Sequence, residues 1–98
     1  MRKIIWSPKA FQDYTSIIDY LHFTWTTKEV QHFIDKVMSA LSLLEKGNFD
    51  FKKVGVQNYR IIVIQKQVSI IYRCVTIDEV QIIRIWDNRQ NPVKLKKL

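Results

Sequence analysis

The chain has 98 residues, but only two glycines, two prolines and one cysteine. Each shortage excludes something. Two glycines cannot build a phosphate-cradling loop, which needs several close backbone approaches. One cysteine, Cys74, permits neither an internal disulfide nor a thiolate metal quartet, and in a strand it reads as a small hydrophobe. His22 and His32 lie ten residues apart, without a Cys or carboxylate at ligand spacing, so no metal site is expected. No cofactor motif is present. No apolar run approaches the ~20 residues of a membrane span, and nothing at the N-terminus reads as a signal peptide. These features predict a cytoplasmic protein without a membrane partner. No Ser-His-Asp spacing and no carboxylate pair in the basic half point to hydrolytic chemistry.

What the chain has is hydrophobic substance and positive charge. A 47% hydrophobic fraction excludes disorder, and 98 residues make one domain. The net charge is +7. Through Phe49 six Lys/Arg face five Asp/Glu; from Asp50 onward ten face four. The second half therefore carries +6 of the +7, which points to an anionic partner, either nucleic acid or an acidic protein.

The densest pattern is Tyr59 to Pro92. Three β-branched, apolar runs, Tyr59 to Ile64, Val68 to Thr76 and Val80 to Trp86, are separated by breaks at residues 65–67 and 78–79. They predict a three-stranded antiparallel meander. Upstream, Arg2 to Trp6 reads as an edge strand. Ser7-Pro8 is a helix start, with Ser as N-cap and Pro at the first helical position. Phe11, Tyr14, Ile17, Ile18 and Leu21 form the apolar face of a first helix that ends near Phe23, with Asp13 and Asp19 off that face. Trp25, in the link, reads as a lid over the helix pair. Thr26 and Glu29 form a capping box for a second helix. Its stripe is Val30, Phe33, Ile34, Val37, Ala40, Leu41 and Leu44, and it closes at Gly47-Asn48. Residues 49–58 read as a connection, with Phe49 and Phe51 tucked into the core. Residues 87–92 read as a loop and 93–98 as a basic, frayed tail. The expected fold is α+β: an N-terminal strand, then an antiparallel helical hairpin packed on one face of a small antiparallel sheet.

Each meander strand holds one arginine: Arg60, Arg73 and Arg84. Two-residue turns at Lys66-Gln67 and Asp78-Glu79 would set Arg60 opposite Arg73 and Arg73 opposite Arg84. The three would form a row on one open face, shared with Ile62, Ile64, Ile71, Val75 and Ile82. Tyr59, Ile61, Val63, Ile70, Tyr72, Ile83 and Ile85 would meet the helices. Such a row would repel itself and call for an anion, which Arg grips as a fork. The alternative pairs these arginines with Asp78, Glu79 and Asp87. A one-residue change of register would separate the row. With Lys52, Lys53 and Arg89 these arginines form the candidate anion- or partner-binding set.

Taken together, WSPKA before the first helix, then YRI, VSIIYR and VQIIRIWDNRQNP in that order, resemble the RelE/ParE superfamily of toxins from bacterial type II toxin–antitoxin systems. The resemblance spans nearly the whole chain and is nearer to the ParE-like branch. It implies a growth inhibitor neutralised by an acidic antitoxin in a heteromeric complex, with homodimerisation left open. It implies one of two targets: DNA gyrase for the ParE-like branch, or mRNA on the ribosome for the RelE-like nucleases. In the nuclease pattern Arg60 and Arg89 occupy basic catalytic positions. Ile62 and Ser69, however, stand where a lysine and an arginine are expected, and residues 93–98 hold no tyrosine. The resemblance therefore favours gyrase over mRNA cleavage. A non-catalytic module that binds nucleic acid or the antitoxin is the third reading.

Overall fold

In a computed structural model, the described residues are 2–24, 26–47, 53–54, 58–65 and 68–87, the side chains at 24, 53, 54 and 87 excepted. The chain runs β1 (Lys3–Trp6), α1 (Pro8–Thr24), α2 (Thr27–Lys46), β2 (Lys53–Val54), β3 (Tyr59–Gln65), β4 (Val68–Thr76) and β5 (Glu79–Asp87). The strands form one sheet in the order β1-β5-β4-β3-β2. The meander β3-β4-β5 is antiparallel, and β1 joins its outer side parallel to β5, with Ile4 opposite Val80 and Trp6 opposite Ile82. The expected α+β architecture and edge position of β1 are both present. β2 is an addition: its two residues, inside the stretch read as a connection, pair with Tyr59 and Arg60.

The helix boundaries follow from local chemistry. Ser7 Oγ accepts the Ala10 N–H at 3.0 Å and donates to the Ile83 carbonyl at 2.8 Å, so the cap of α1 is also a tie to β5. Thr26 caps α2 by accepting the Glu29 N–H at 3.3 Å. Gly47 ends α2 at φ 72°, a left-handed conformation that a side chain resists. A Cβ there would also lie 3.1 Å from Arg2 Nε, which itself donates to the Leu44 carbonyl at 2.9 Å. Gly47→Ala is expected to cost about 1–2 kcal/mol, read as a lower urea midpoint with an unchanged denaturant slope.

The helices cover one face of the sheet. Val30, Phe33, Val37, Ala40 and Leu44 of α2 and Ala10 and Leu21 of α1 pack on Ile62, Val68, Ile70, Tyr72, Val80, Ile82 and Ile85. The apolar stripe of α2 is as read from its periodicity. In α1, Phe11 is 59% exposed and Ala10 is the buried residue of that turn. Tyr14 sits between Trp6, edge-on at 5.3 Å, and Phe33, stacked at 6.1 Å. Burial raises its phenol pKa above the ordinary value near 10. The neutral phenol is therefore favoured by folding. Its contribution is present below the unfolded pKa of ~10 and is lost as pH rises through the higher folded value. Urea midpoints measured between pH 8 and 11 are expected to fall at the alkaline end, and less steeply in Tyr14→Phe.

Candidate functional site: the basic half of the sheet

Three β-bulges decide where the arginines go. Gln65 pairs with Val68, as a two-residue turn at 66–67 requires, but the next pair is Val63 with Ser69, leaving Ile64 as the extra residue. The second hairpin turns at Ile77-Asp78 rather than at Asp78-Glu79, since Thr76 pairs with Glu79. Val75 is then extra on β4 and Ile83 extra on β5. A bulge places two residues against one and shifts the side-chain alternation beyond it.

As a result the arginine row does not form. Arg60 lies opposite Tyr72, on the helix side; Arg73 lies opposite Gln81 and Arg84 opposite Ile71, both on the outer side. The face assignment within β3 is likewise reversed. Ile62 belongs to the core, whereas Val63 is 65% exposed. In β5 the bulge at Ile83 brings both Ile82 and Ile85 onto the helices, three positions apart, and Ile83 is only half-buried. The outer side is not a bare solvent face either: Ser69, Ile71 and Trp86 are buried there.

Arg84 is engaged in the fold. Its Nε lies 2.6 Å from Asp13 Oδ2 and its Nη2 3.1 Å from Asp13 Oδ1, a two-pronged grip. Its guanidinium also lies 5.2 Å over the Trp86 ring. Asp13 Oδ2 further accepts the Ile85 N–H at 3.2 Å. The reason is topological. β1 pairs with β5 only as far as Ile82, so the edge of β5 beyond it has lost its strand partner. Ser7 takes the Ile83 carbonyl and Asp13 takes the Ile85 amide, side chains of one helix standing in for a missing strand. Asp13, read as an off-face residue of α1, is thus the partner of Arg84 in place of Asp78, Glu79 or Asp87. No spacing in the sequence marks this contact across 71 residues.

Arg73 is exposed, with Nε donated to Gln81 Oε1 at 3.0 Å. Cys74 is also exposed rather than buried, and receives Arg2 Nη1 at 3.2 Å. Lys53 pairs with Arg60 in the backbone register of β2 and β3. Lys52 and Arg89 lie outside the described residues, as do Trp25, Phe49, Phe51 and the C-terminal stretch 88–98. Among the described residues no group of His, Cys, Asp and Glu could hold a metal ion, and no helix is long and apolar enough to cross a membrane.

Two positions of the sheet singled out by the sequence are interior: Ile62 is 7% exposed and Ser69 fully buried.

Solved structures share this fold. A chromosomal ParDE toxin–antitoxin structure from P. aeruginosa superposes with a TM-score of 0.73 at 19% identity, over 89% of this chain and 96% of that one. A YoeB/ParE toxin from Agrobacterium tumefaciens gives 0.63 at 13% identity, over 87% and 96%. The YoeB dimer from Staphylococcus aureus gives 0.57 at 20%, over 87% and 94%. At these identities the likeness concerns the fold. Comparison with curated protein sequences gives no match. The family model for the ParE toxin of the type II toxin–antitoxin system parDE matches residues 4–92, nearly the whole chain, and the protein belongs to that toxin family.

Proposed function

We propose that this toxin inhibits growth through DNA gyrase, without cleaving RNA, and that an acidic antitoxin neutralises it. The observation that carries the choice of target is the interior placement of Ile62 and Ser69. A phosphodiester in flight needs cations preorganised around the developing charge. In this chain one such position is filled by a core isoleucine and another by a fully buried serine. Arg84, the remaining described arginine of β5, is held by Asp13. Arg60 and Arg89 alone would bind an anion without supplying an acid and a base near neutral pH. The candidate cationic set of Lys52, Lys53, Arg60, Arg73 and Arg89, within a second half that carries +6, suits an acidic protein. The whole chain acts as a single toxin domain in the cytoplasm and needs no cofactor.

Induction of the chain in a bacterial host is the test. Growth arrest with filamentation, induction of the DNA-damage response and intact bulk mRNA is the expected result. In vitro, the purified chain should inhibit supercoiling by gyrase and leave ribosome-bound mRNA uncut. Rapid mRNA loss with cuts in the ribosomal A site would replace this reading by the nuclease one, and an absence of any growth defect would leave a binding module.

A further inference from the structure

The two helices meet along a seam on the side away from the sheet. α1 turns one flank to the free edge of β5, where Asp13 holds Arg84. α2 turns its far flank, with Lys36, Ala40 and Leu43, to a groove beside β3. In the strand order β1-β5-β4-β3-β2 this sets the helices side by side, and Tyr14 of one stacks on Phe33 of the other. Their remaining flanks face each other. At ~100° per residue those flanks carry Phe11 and Ile18 on α1 and Ile34, Met38 and Leu41 on α2. Ile18, Ile34 and Leu41 are partly buried against the core and floor the seam. Phe11 and Met38 stand above them, 59% and 47% exposed. Aromatic and methionine side chains are what the centre of a protein interface favours.

We propose that this seam joins two copies of the chain about a two-fold axis, with Phe11 of each copy laid over Met38 of the other. Charge selects a second copy as the occupant. Residues 8–46, the helices and their link, hold four Lys/Arg and five Asp/Glu, a net −1. The rest of the chain holds twelve and four, a net +8. Two +7 chains repel unless they meet through a layer with almost no net charge, and the helices are that layer. A strongly acidic partner is drawn to the +8 instead, and a nucleic acid would meet a net −1 at the seam. In a two-fold contact the Phe11–Met38 pair forms twice, so two residues supply four anchors. The 17 residues of α1 make the face ~25 Å long, and two helices make it ~20 Å wide. That is about 500 Å² a side, below the ~800 Å² of a standard interface. The dimer is therefore weak, with a Kd on the order of 10–100 μM.

Sedimentation of the full chain between about 5 and 500 μM tests this. The mass should rise from that of one chain toward that of two, and the Kd should change less than about threefold between low and high salt. Phe11→Lys and Met38→Glu should each weaken association at least about tenfold. Both should keep the parent's urea midpoint, because both side chains are exposed. Phe11→Ser and Met38→Ser carry the same expectation without added charge. An equimolar mixture of Phe11→Lys and Met38→Glu should dimerise again. One contact then joins the new lysine to the new glutamate, and the other keeps Phe11 on Met38. A single-chain mass up to about 500 μM, parent-like dimerisation of either variant, or a mixture that stays monomeric would overturn the proposal. None of these outcomes depends on the target in the host, which induction tests separately.

Discussion

Asp13→Ala is expected to remove about 2 kcal/mol of stability, although the residue lies in the middle of a helix where alanine is intrinsically better by about 0.5 kcal/mol. Asp13 serves two groups at once, the Arg84 guanidinium and the Ile85 amide, and side-chain exposures of 20% for Arg84 and 14% for Asp13 leave little water to replace it. Removing one partner of a well-buried ion pair costs ~3–5 kcal/mol because the other charge is stranded, whereas fully exposed pairs are worth under ~1. This pair sits toward the buried end, and the orphaned amide adds about 1 kcal/mol. Asp13→Asn keeps an acceptor and should lose only about half as much. Arg84→Met combined with Asp13→Ala should recover part of the loss, since no charge is then left alone. Urea denaturation of the two single variants and the double one checks this. A loss under ~0.5 kcal/mol for Asp13→Ala would show the pair to be an ordinary solvated contact.

That contact also shows what the sequence discloses and what it withholds. Residues whose role is settled within a few positions are legible. Ser7 and Thr26 cap helices because their oxygens reach N–H groups three residues on. Gly47 ends α2 because the left-handed turn is cheap for it alone. The α2 stripe from Val30 to Leu44 is read directly from the 3.6-residue period, as is β1 from its short β-branched run. Phe11 is the exception on α1. It falls on the apolar spacing, but the buried position in that turn is Ala10, which is fully buried in the core cluster.

The site was less legible because it depends on register. Strand identities along Tyr59 to Asp87 were clear, but each one-residue bulge moves every later side chain to the other face. Ile64, Val75 and Ile83 are the extra residues, and nothing about their type distinguishes them from their neighbours. Shifts of this kind separate Arg60 from Arg73 and bring Ile82 and Ile85 together in the core. Arg84 was visible as an anomaly in an apolar strand, yet its partner lay in a helix 71 residues away, on a face chosen by how α1 crosses β5. The family resemblance supplied what periodicity could not: by marking Ile62 and Ser69 as departures from the nuclease pattern, it directed attention to two positions that prove to be interior.

Phe33→Ala should be the most damaging single change, at about 3–5 kcal/mol. Phe33 is fully buried on α2, stacks on Tyr14 of α1 at 6.1 Å and belongs to the cluster that includes Ile70, Tyr72 and Ile82 of the sheet. It is thus a point where both helices and the sheet meet, and the contacts between the helices themselves are sparse compared with those of each helix on the strands. Truncation opens a cavity bounded by Tyr14, which in turn holds Trp6 of the edge strand. A domain of this size has only ~5–15 kcal/mol in hand, and each 1 kcal/mol moves its melting temperature by ~4–8 °C. A fall of roughly 15 °C or more is expected, together with loss of growth inhibition at 37 °C through depletion of folded chain. Phe33→Leu, which fills most of the space, should cost under about 2 kcal/mol and keep the activity. If Phe33→Ala melted within ~3 °C of the parent, the joint between α1, α2 and the sheet would not be where the packing places it.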